Sequence, residues 1–158
     1  MAIVLFRVDD RLIHGQVVVG WGSPLGVNRI VLVDEQVAAS AWEQDLYRMA
    51  VTPEIEVEFV TVAEATARLR DWQSDLRRTL VLTGDLETMA ALHAADPVTV
   101  HRINLGGIHH RAGRRERLPY LYLTDDEMAR LAKLEAAGAA VAAQDLPTTP
   151  PVTLKALA

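Results

Sequence analysis

The sequence predicts an α/β fold: an open, mainly parallel, doubly wound sheet flanked by helices, in a single domain over residues 1–158. Short aliphatic runs recur along the chain, and between them apolar residues fall at helical spacing, which is the pattern of linked βαβ units. The runs are apolar on successive residues instead of alternating ones, as befits strands covered on both faces. At 158 residues the chain is long enough to bury about 70% of its unfolded surface without staples.

The elements follow in order. Ala2 to Phe6 reads as the first strand, with Val8 to Ile13 as the loop at its carboxyl end and a helix opening at His14-Gly15-Gln16. Arg29 to Asp34 is a second strand, followed by a helix from about Val37 to Met49. Ile55 to Val60 is a third strand. The helix Val62 to Trp72 is started by Thr61 with Glu64 three residues later, the spacing of a capping box. Thr79 to Leu82, a helix from Asp85 to His93, and Thr99 to Leu105 complete two more units, the last ending in Gly106-Gly107. Leu118 to Leu123 is a short strand, and Thr124-Asp125-Asp126-Glu127 caps a helix to about Ala137 that Gly138 stops. A last apolar run, VAAQ, and a proline-rich stretch precede TLKAL. Right-handed crossovers would set these strands in one sheet.

Composition narrows the function. The absence of Cys removes disulfides, thiolate catalysis and Cys-ligated zinc, and fits a bacterial cytosolic domain. All but Lys133 and Lys155 of the 16 basic residues are arginine, which argues against lysine bases and Schiff bases. A net charge of -5 argues against general nucleic-acid binding. No apolar stretch approaches the ~20 residues of a membrane span, and MAIVLFRVDD has no signal-peptide leader, so a cytoplasmic protein is expected. There is no GxSxG, no P-loop and no GxGxxG. Arg11 and His14, separated by two apolar residues, do not form the RHG of a histidine phosphatase.

The chemistry gathers in FRVDDRLIHGQVVVGW. Arg7, Asp9, Asp10, Arg11 and His14 lie within eight residues at the carboxyl edge of the first strand, where open α/β sheets keep their ligands. Singly, each has an ordinary structural explanation as a cap, a turn residue or a solvated charge; their conjunction points to a site. The helix opening at Gly15 and Gln16 aims free N–H groups and a positive dipole end at that loop, so His14 faces an anion site. A second candidate is Asn104-Leu105-Gly106-Gly107, where paired glycines permit close backbone approach at the end of another parallel strand. His109 and His110 are adjacent and lack metal-ligand spacing, so no metal site is expected. Arg111, Arg114, Arg115 and Arg117 form the one basic cluster, readable as a docking surface for an acidic or phosphorylated partner or as a solvated loop.

VDDRLIHGQVVVGW, together with NLGGIH and VAAQDLP further along, resembles the IIB component of the mannose-fructose-sorbose family of the bacterial phosphoenolpyruvate-dependent sugar phosphotransferase system, over essentially the whole chain. The resemblance implies that His14 accepts a phosphoryl group from a histidine of a IIA partner and passes it to a sugar held by the membrane components IIC and IID, with Arg11 at the phosphate. It also implies attachment to the inner face of the membrane through those partners. The run Arg111–Arg117 is richer in arginine than the family pattern, which leaves the partners' identity open.

The residues fit that implication chemically. Phosphoryl transfer needs an in-line nucleophile and neutralised equatorial oxygens, with no cofactor required. Arg11 supplies a forked donor, and Asp9 or Asp10 would hold Arg11 or the imidazole in place. Two successive partners must reach one side chain, so the site should be open and shallow. A regulatory phosphocarrier without sugar transport fits the same residues; a small-molecule phosphohydrolase fits less well, because no second acid or metal is placed beside the nucleophile.

Overall fold

The computed structural model describes residues 2–158, so Met1 of the expected domain lies outside it. In chain order the elements are β1 (Ile3–Val8), a π-helical segment (Gln16–Gly22) continued by α1 (Ser23–Leu25), β2 (Arg29–Val33), α2 (Glu35–Ala38), α3 (Ala41–Arg48), β3 (Glu56–Val60), α4 (Val62–Ser74), β4 (Thr79–Thr83), α5 (Leu86–Ala95), β5 (Arg102–Leu105), β6 (Arg115–Leu118), β7 (Leu121–Leu123), α6 (Asp125–Ala136), β8 (Ala140–Ala143), β9 (Val152–Thr153) and α7 (Leu154–Leu157). Seven strands make one sheet in the order β3-β2-β4-β1-β5-β8-β9, parallel except for β9 against β8.

Alternation within the strands builds a core on each face. Ile30, Leu32, Leu80 and Leu82 point to one side and pack with Val17, Val18, Trp21 and Val37. Val31, Val33 and Val81 point to the other, where Leu69 and Trp72 of α4, Met89 and Leu92 of α5, and Leu131 of α6 cover them. Both faces are therefore buried, which is why the strands read as unbroken apolar runs. The chain leaves β1 toward β2 on one side, while β4 hands over to β5 on the other. The carboxyl ends of β1 and β5 thus border a crevice where connections diverge.

Five local expectations are corrected. The helix expected over Val37–Met49 is two helices: α2 is capped by the Asp34 carboxylate on Val37 N–H, and the chain turns extended at Ser40 before α3. Gln44 Nε2 donates back to the carbonyls of Val37 and Ala38, satisfying the end that the break exposes. The strand expected at Leu118–Leu123 instead spans the turn of a separate β6–β7 hairpin: Leu118 ends β6, Pro119, which has no N–H for a ladder, and Tyr120 make the turn, and only Leu121–Leu123 is β7. The strand expected from Thr99 begins at Arg102, because Thr99 instead donates N–H and hydroxyl to Asp96. The segment after His14 is π-wound, and β1 extends to Val8.

Candidate functional site

Arg7 sits opposite Asn104 in the β1–β5 ladder, and its guanidinium is completely buried. Nη1 donates to the Asn104 side-chain oxygen and, at 2.9 Å, to the Gln144 carbonyl. Nη2 reaches the Asp145 carbonyl at 3.4 Å and Asp9 at 3.5 Å. The Trp21 ring centroid is 4.7 Å from the guanidinium carbon, and the indole N–H donates to the Asp145 carbonyl at 2.9 Å. π-Winding after Gln16 aims Trp21 at this position, consistent with the habit of such turns to occur at functional sites. Burial pushes the guanidinium below its usual value, and the Asp9 charge opposes that push.

Asp9 is the counter-ion, itself fully buried. Its Oδ1 accepts from the backbone N–H and Nε of Arg11, and its Oδ2 from Arg11 Nη2, all at 3.1 Å. Nε2 of His14 lies 3.3 Å from Oδ2, is otherwise buried and makes no other polar contact. Burial alone would raise the Asp9 carboxyl; contacts to His14 and Arg11, with the charges of Arg7 and Arg11, overcome this and hold it well below the usual carboxylate range. Leu12 N–H closes the turn on the Asp9 carbonyl at 3.0 Å, and Leu12 itself adopts φ 61°, a left-handed conformation that costs a leucine about 1 kcal/mol or more. That reversal returns the chain so that His14 stands over Asp9. Nε2 thus faces the carboxylate at ion-pair range without a hydrogen bond of good geometry, and Nδ1 makes no hydrogen bond among the described residues.

The remaining candidates fall around this centre in unequal ways. Asp10 holds neither Arg11 nor His14; it accepts from the ring and backbone N–H of His109 at 2.6 and 2.7 Å. Gln16 ties the helix start to Asp145 at 2.8 Å, and Gly15 precedes it with no side-chain cap on the first turn. Asn104 orients Arg7. Gly106 donates its N–H to the Val8 carbonyl, so it is not free for an anion. Its contribution is the lack of a side chain: a Cβ there would lie 2.6 Å from Arg7 Cζ and 2.8 Å from Asp9 Oδ2. At Gly107 a Cβ would stand 3.4 Å from Asp9 and the Arg11 guanidinium.

The arginine run is mostly occupied internally. Arg114 forks onto Glu127 at 3.0 Å through two nitrogens, and Arg117, almost fully buried, bonds Asp125 and the Leu123 carbonyl. Arg115 also pairs with Asp125 but stays exposed, as does Arg111. These pairs tie the hairpin to the start of α6, so Arg114 and Arg117 have fixed partners within the chain instead of standing free for another protein.

Trp21, Gln144 and Asp145 are the site residues that reading the sequence missed, and Arg7 is deeper than its place in the charged cluster implied. The signal for Gln144 and Asp145 was present: Gln144 ends the apolar run VAAQ and Asp145 follows it, and parallel strands put their carboxyl ends on one edge.

A family model for the PTS system sorbose subfamily IIB component matches residues 3–157. The chain belongs to that family. This IIB component is a phosphotransferase-system protein, a phosphocarrier in sugar uptake. It is 30% identical over 152 residues to the N-acetylgalactosamine-specific phosphotransferase enzyme IIB component 2 of Escherichia coli K12, covering 96% of each chain. It is 27% identical over 150 residues to the mannose-specific EIIAB component of the same organism, covering 95% of this chain and 46% of that longer protein. Among solved structures, the IIBSor domain of the sorbose permease from Klebsiella pneumoniae superposes with a TM-score of 0.88 at 25% identity, over 99% of this chain and 96% of that one. No helix among the described residues is long and apolar enough to cross a membrane.

The glycine requirement of this IIB site can be measured. Gly106→Ala is expected to displace Arg7 or Asp9, since neither the buried guanidinium nor the carboxylate has room to retreat, and overpacking costs typically about 1–3 kcal/mol. Thermal melts should show a drop of several degrees. Gly15→Ala, where nothing lies within 4 Å, should leave the melt unchanged and serves as the control.

Proposed function

We propose that His14 is the phosphoryl acceptor and donor, that the bond forms at Nδ1, and that Arg11 steadies the transferring charge. The observation that carries this is the division of the imidazole: Asp9 holds buried Nε2 at 3.3 Å, and Nδ1 is left as the lone pair for in-line attack. Arg11 has Nε and Nη2 on Asp9, while Nη1 makes no hydrogen bond and its side chain is 37% exposed. One edge of a rigid, permanently charged fork is therefore presented beside the nucleophile. The uncapped N–H groups of the helix start lie next in the chain.

The protein that charges His14 is, in this reading, a IIA phosphocarrier; the relative that joins IIA and IIB in one chain supports the pairing. The acceptor is a sugar presented by the membrane components IIC and IID, which would hold this chain at the inner membrane face. The sugars in the relatives' names, N-acetylgalactosamine, sorbose and mannose, make hexose derivatives and hexoses the substrate class to try first. Two successive partners must reach one side chain, and the His14 side chain is 19% exposed. For partner docking, the arginines with exposed heads are Arg111 and Arg115.

Incubation with phosphoenolpyruvate, the general phosphotransferase components and the cognate IIA should give an acid-labile, alkali-stable adduct that maps to His14. Label on His109 or His110 would overturn the assignment. Arg11→Lys should slow charging about tenfold or more, equivalent to ~1.4 kcal/mol in the barrier, because an ammonium cannot keep both the Asp9 contact and the phosphate contact. Lysine keeps a positive charge at this 37% exposed position beside buried Asp9, so no buried charge is stranded and the melting temperature should fall by no more than ~4 °C. A larger fall with unchanged charging would make Arg11 a structural residue.

A further inference from the structure

Consecutive carboxylates each hold one imidazole. Asp9 points inward to His14, and Asp10 points across to His109, whose ring Nδ1 lies 2.6 Å from Asp10 Oδ1 and whose backbone N–H donates to Oδ2 at 2.7 Å. The two Cα atoms are about 3.8 Å apart, as in any trans peptide. Asp10 N–H donates to the Gly107 carbonyl at 2.9 Å, so the His109 loop is tied to the phosphoryl loop through the Asp10 backbone as well as through its carboxylate. The Arg114 guanidinium clamps the His109 carbonyl at 2.9 Å and is itself fixed on Glu127. An exposed side chain, 71% accessible, is thus held by contacts on its ring, its N–H and its carbonyl.

We infer that His109 is the general base of the second half-reaction, taking the proton from the acceptor hydroxyl as phosphoryl leaves His14. The inference rests on His14 being the phosphorylated residue. Charging moves phosphoryl from one imidazole nitrogen to another, and no hydroxyl proton needs a home. Discharge is different. The hydroxyl oxygen forms a bond to phosphorus, the Nδ1–P bond of His14 breaks and its electron pair returns to Nδ1, and the hydroxyl proton must go to a base. His14 is the leaving group, Arg11 is permanently protonated, and Asp9 is buried and engaged with three cationic or N–H-bearing side chains. Asp10 holds His109 through Nδ1–H, which leaves Nε2 as an exposed lone pair, the orientation that a carboxylate imposes on a catalytic imidazole elsewhere. After transfer the imidazolium returns its proton to solvent. The groups facing His109 are Asp10 and Arg114, with His110 and Arg111 following it in the chain.

The test separates the two half-reactions on the full chain. Wild type and His109→Gln are charged with phosphoenolpyruvate, the general components and IIA, then freed of donors and allowed to discharge into buffer containing methanol as the acceptor alcohol. His109→Gln is expected to charge at the wild-type rate, since the side chain is exposed and its one hydrogen bond is to Asp10, and to form methyl phosphate at least about tenfold more slowly, at the low end of general-base effects. Asp10→Asn should slow discharge in the same direction. A purely structural role would slow both halves together, so slowed charging overturns the proposal, as does equal discharge in His109→Gln. Failure of wild type to label at His14 would overturn the underlying assignment instead, and is seen before any discharge is measured.

Discussion

His14→Ala is expected to lose all transferable label while keeping its fold. The neighbouring imidazole, His109, is held by Asp10 and makes no hydrogen bond with Arg11 or Asp9, so phosphoenolpyruvate, the general components and IIA should leave the variant at background, a loss of at least about 10³-fold against wild type, a barrier increase of ~4 kcal/mol or more. The fold should hardly notice. Removing the imidazole leaves Asp9 paired with Arg7 and Arg11, so no buried charge is stranded, and the His14 side chain is already 19% exposed. A melting temperature within a few degrees of wild type is the companion expectation. Residual label above background in a folded His14→Ala protein would show that a second acceptor exists and that the division of the imidazole between Asp9 and solvent has been misread.

What was legible in the sequence was what is local. Thr61 and Thr124 each cap a helix with their own side chain onto an N–H three residues ahead, and the strands are buried on both faces, so their runs are continuous. The conjunction of Asp9, Arg11 and His14 was equally local, lying within one turn. The break between α2 and α3 was not, because what satisfies it is Gln44 reaching back across the gap. Nor was the depth of Arg7: an arginine at the end of an aliphatic run looks like the first solvated residue, and three of its four hydrogen-bond acceptors lie 97 to 138 positions away. The glycine pair was legible as a site but not in its role. Gly106 yields space to a guanidinium, and that is visible only once β1 and β5 lie side by side. Likewise the arginine run reads as free charge until Glu127 and Asp125 are brought to it by α6.

Asp9→Asn carries the largest expected cost in stability. Arg7 is wholly buried, and its other acceptors are an amide oxygen and two carbonyls, so Asp9 supplies the formal negative charge within contact distance. Removing one partner of a buried pair leaves the other uncompensated and costs about 3–5 kcal/mol. For a chain of this size the melting temperature should fall by roughly 10 °C. The amide would also drop one arm of the Arg11 fork and the acceptor facing His14 Nε2, so any folded variant should charge slowly as well. Acid distinguishes this electrostatic account from simple loss of packing. The Asp9 carboxyl is held well below its ordinary value, so its contribution is complete above an unfolded-state value of about 3.9 and is lost as pH falls below that toward the folded value. Asparagine does not titrate. The gap between wild type and Asp9→Asn should therefore be widest near neutrality and narrow steadily below about pH 4. Arg7→Met introduced into Asp9→Asn should recover part of the loss, because an apolar side chain removes the stranded cation. A gap that stays constant down to pH 2, or a double variant less stable than the sum of the two single changes, would mean that Asp9 acts through shape and hydrogen bonding alone and that Arg7 does not depend on its charge.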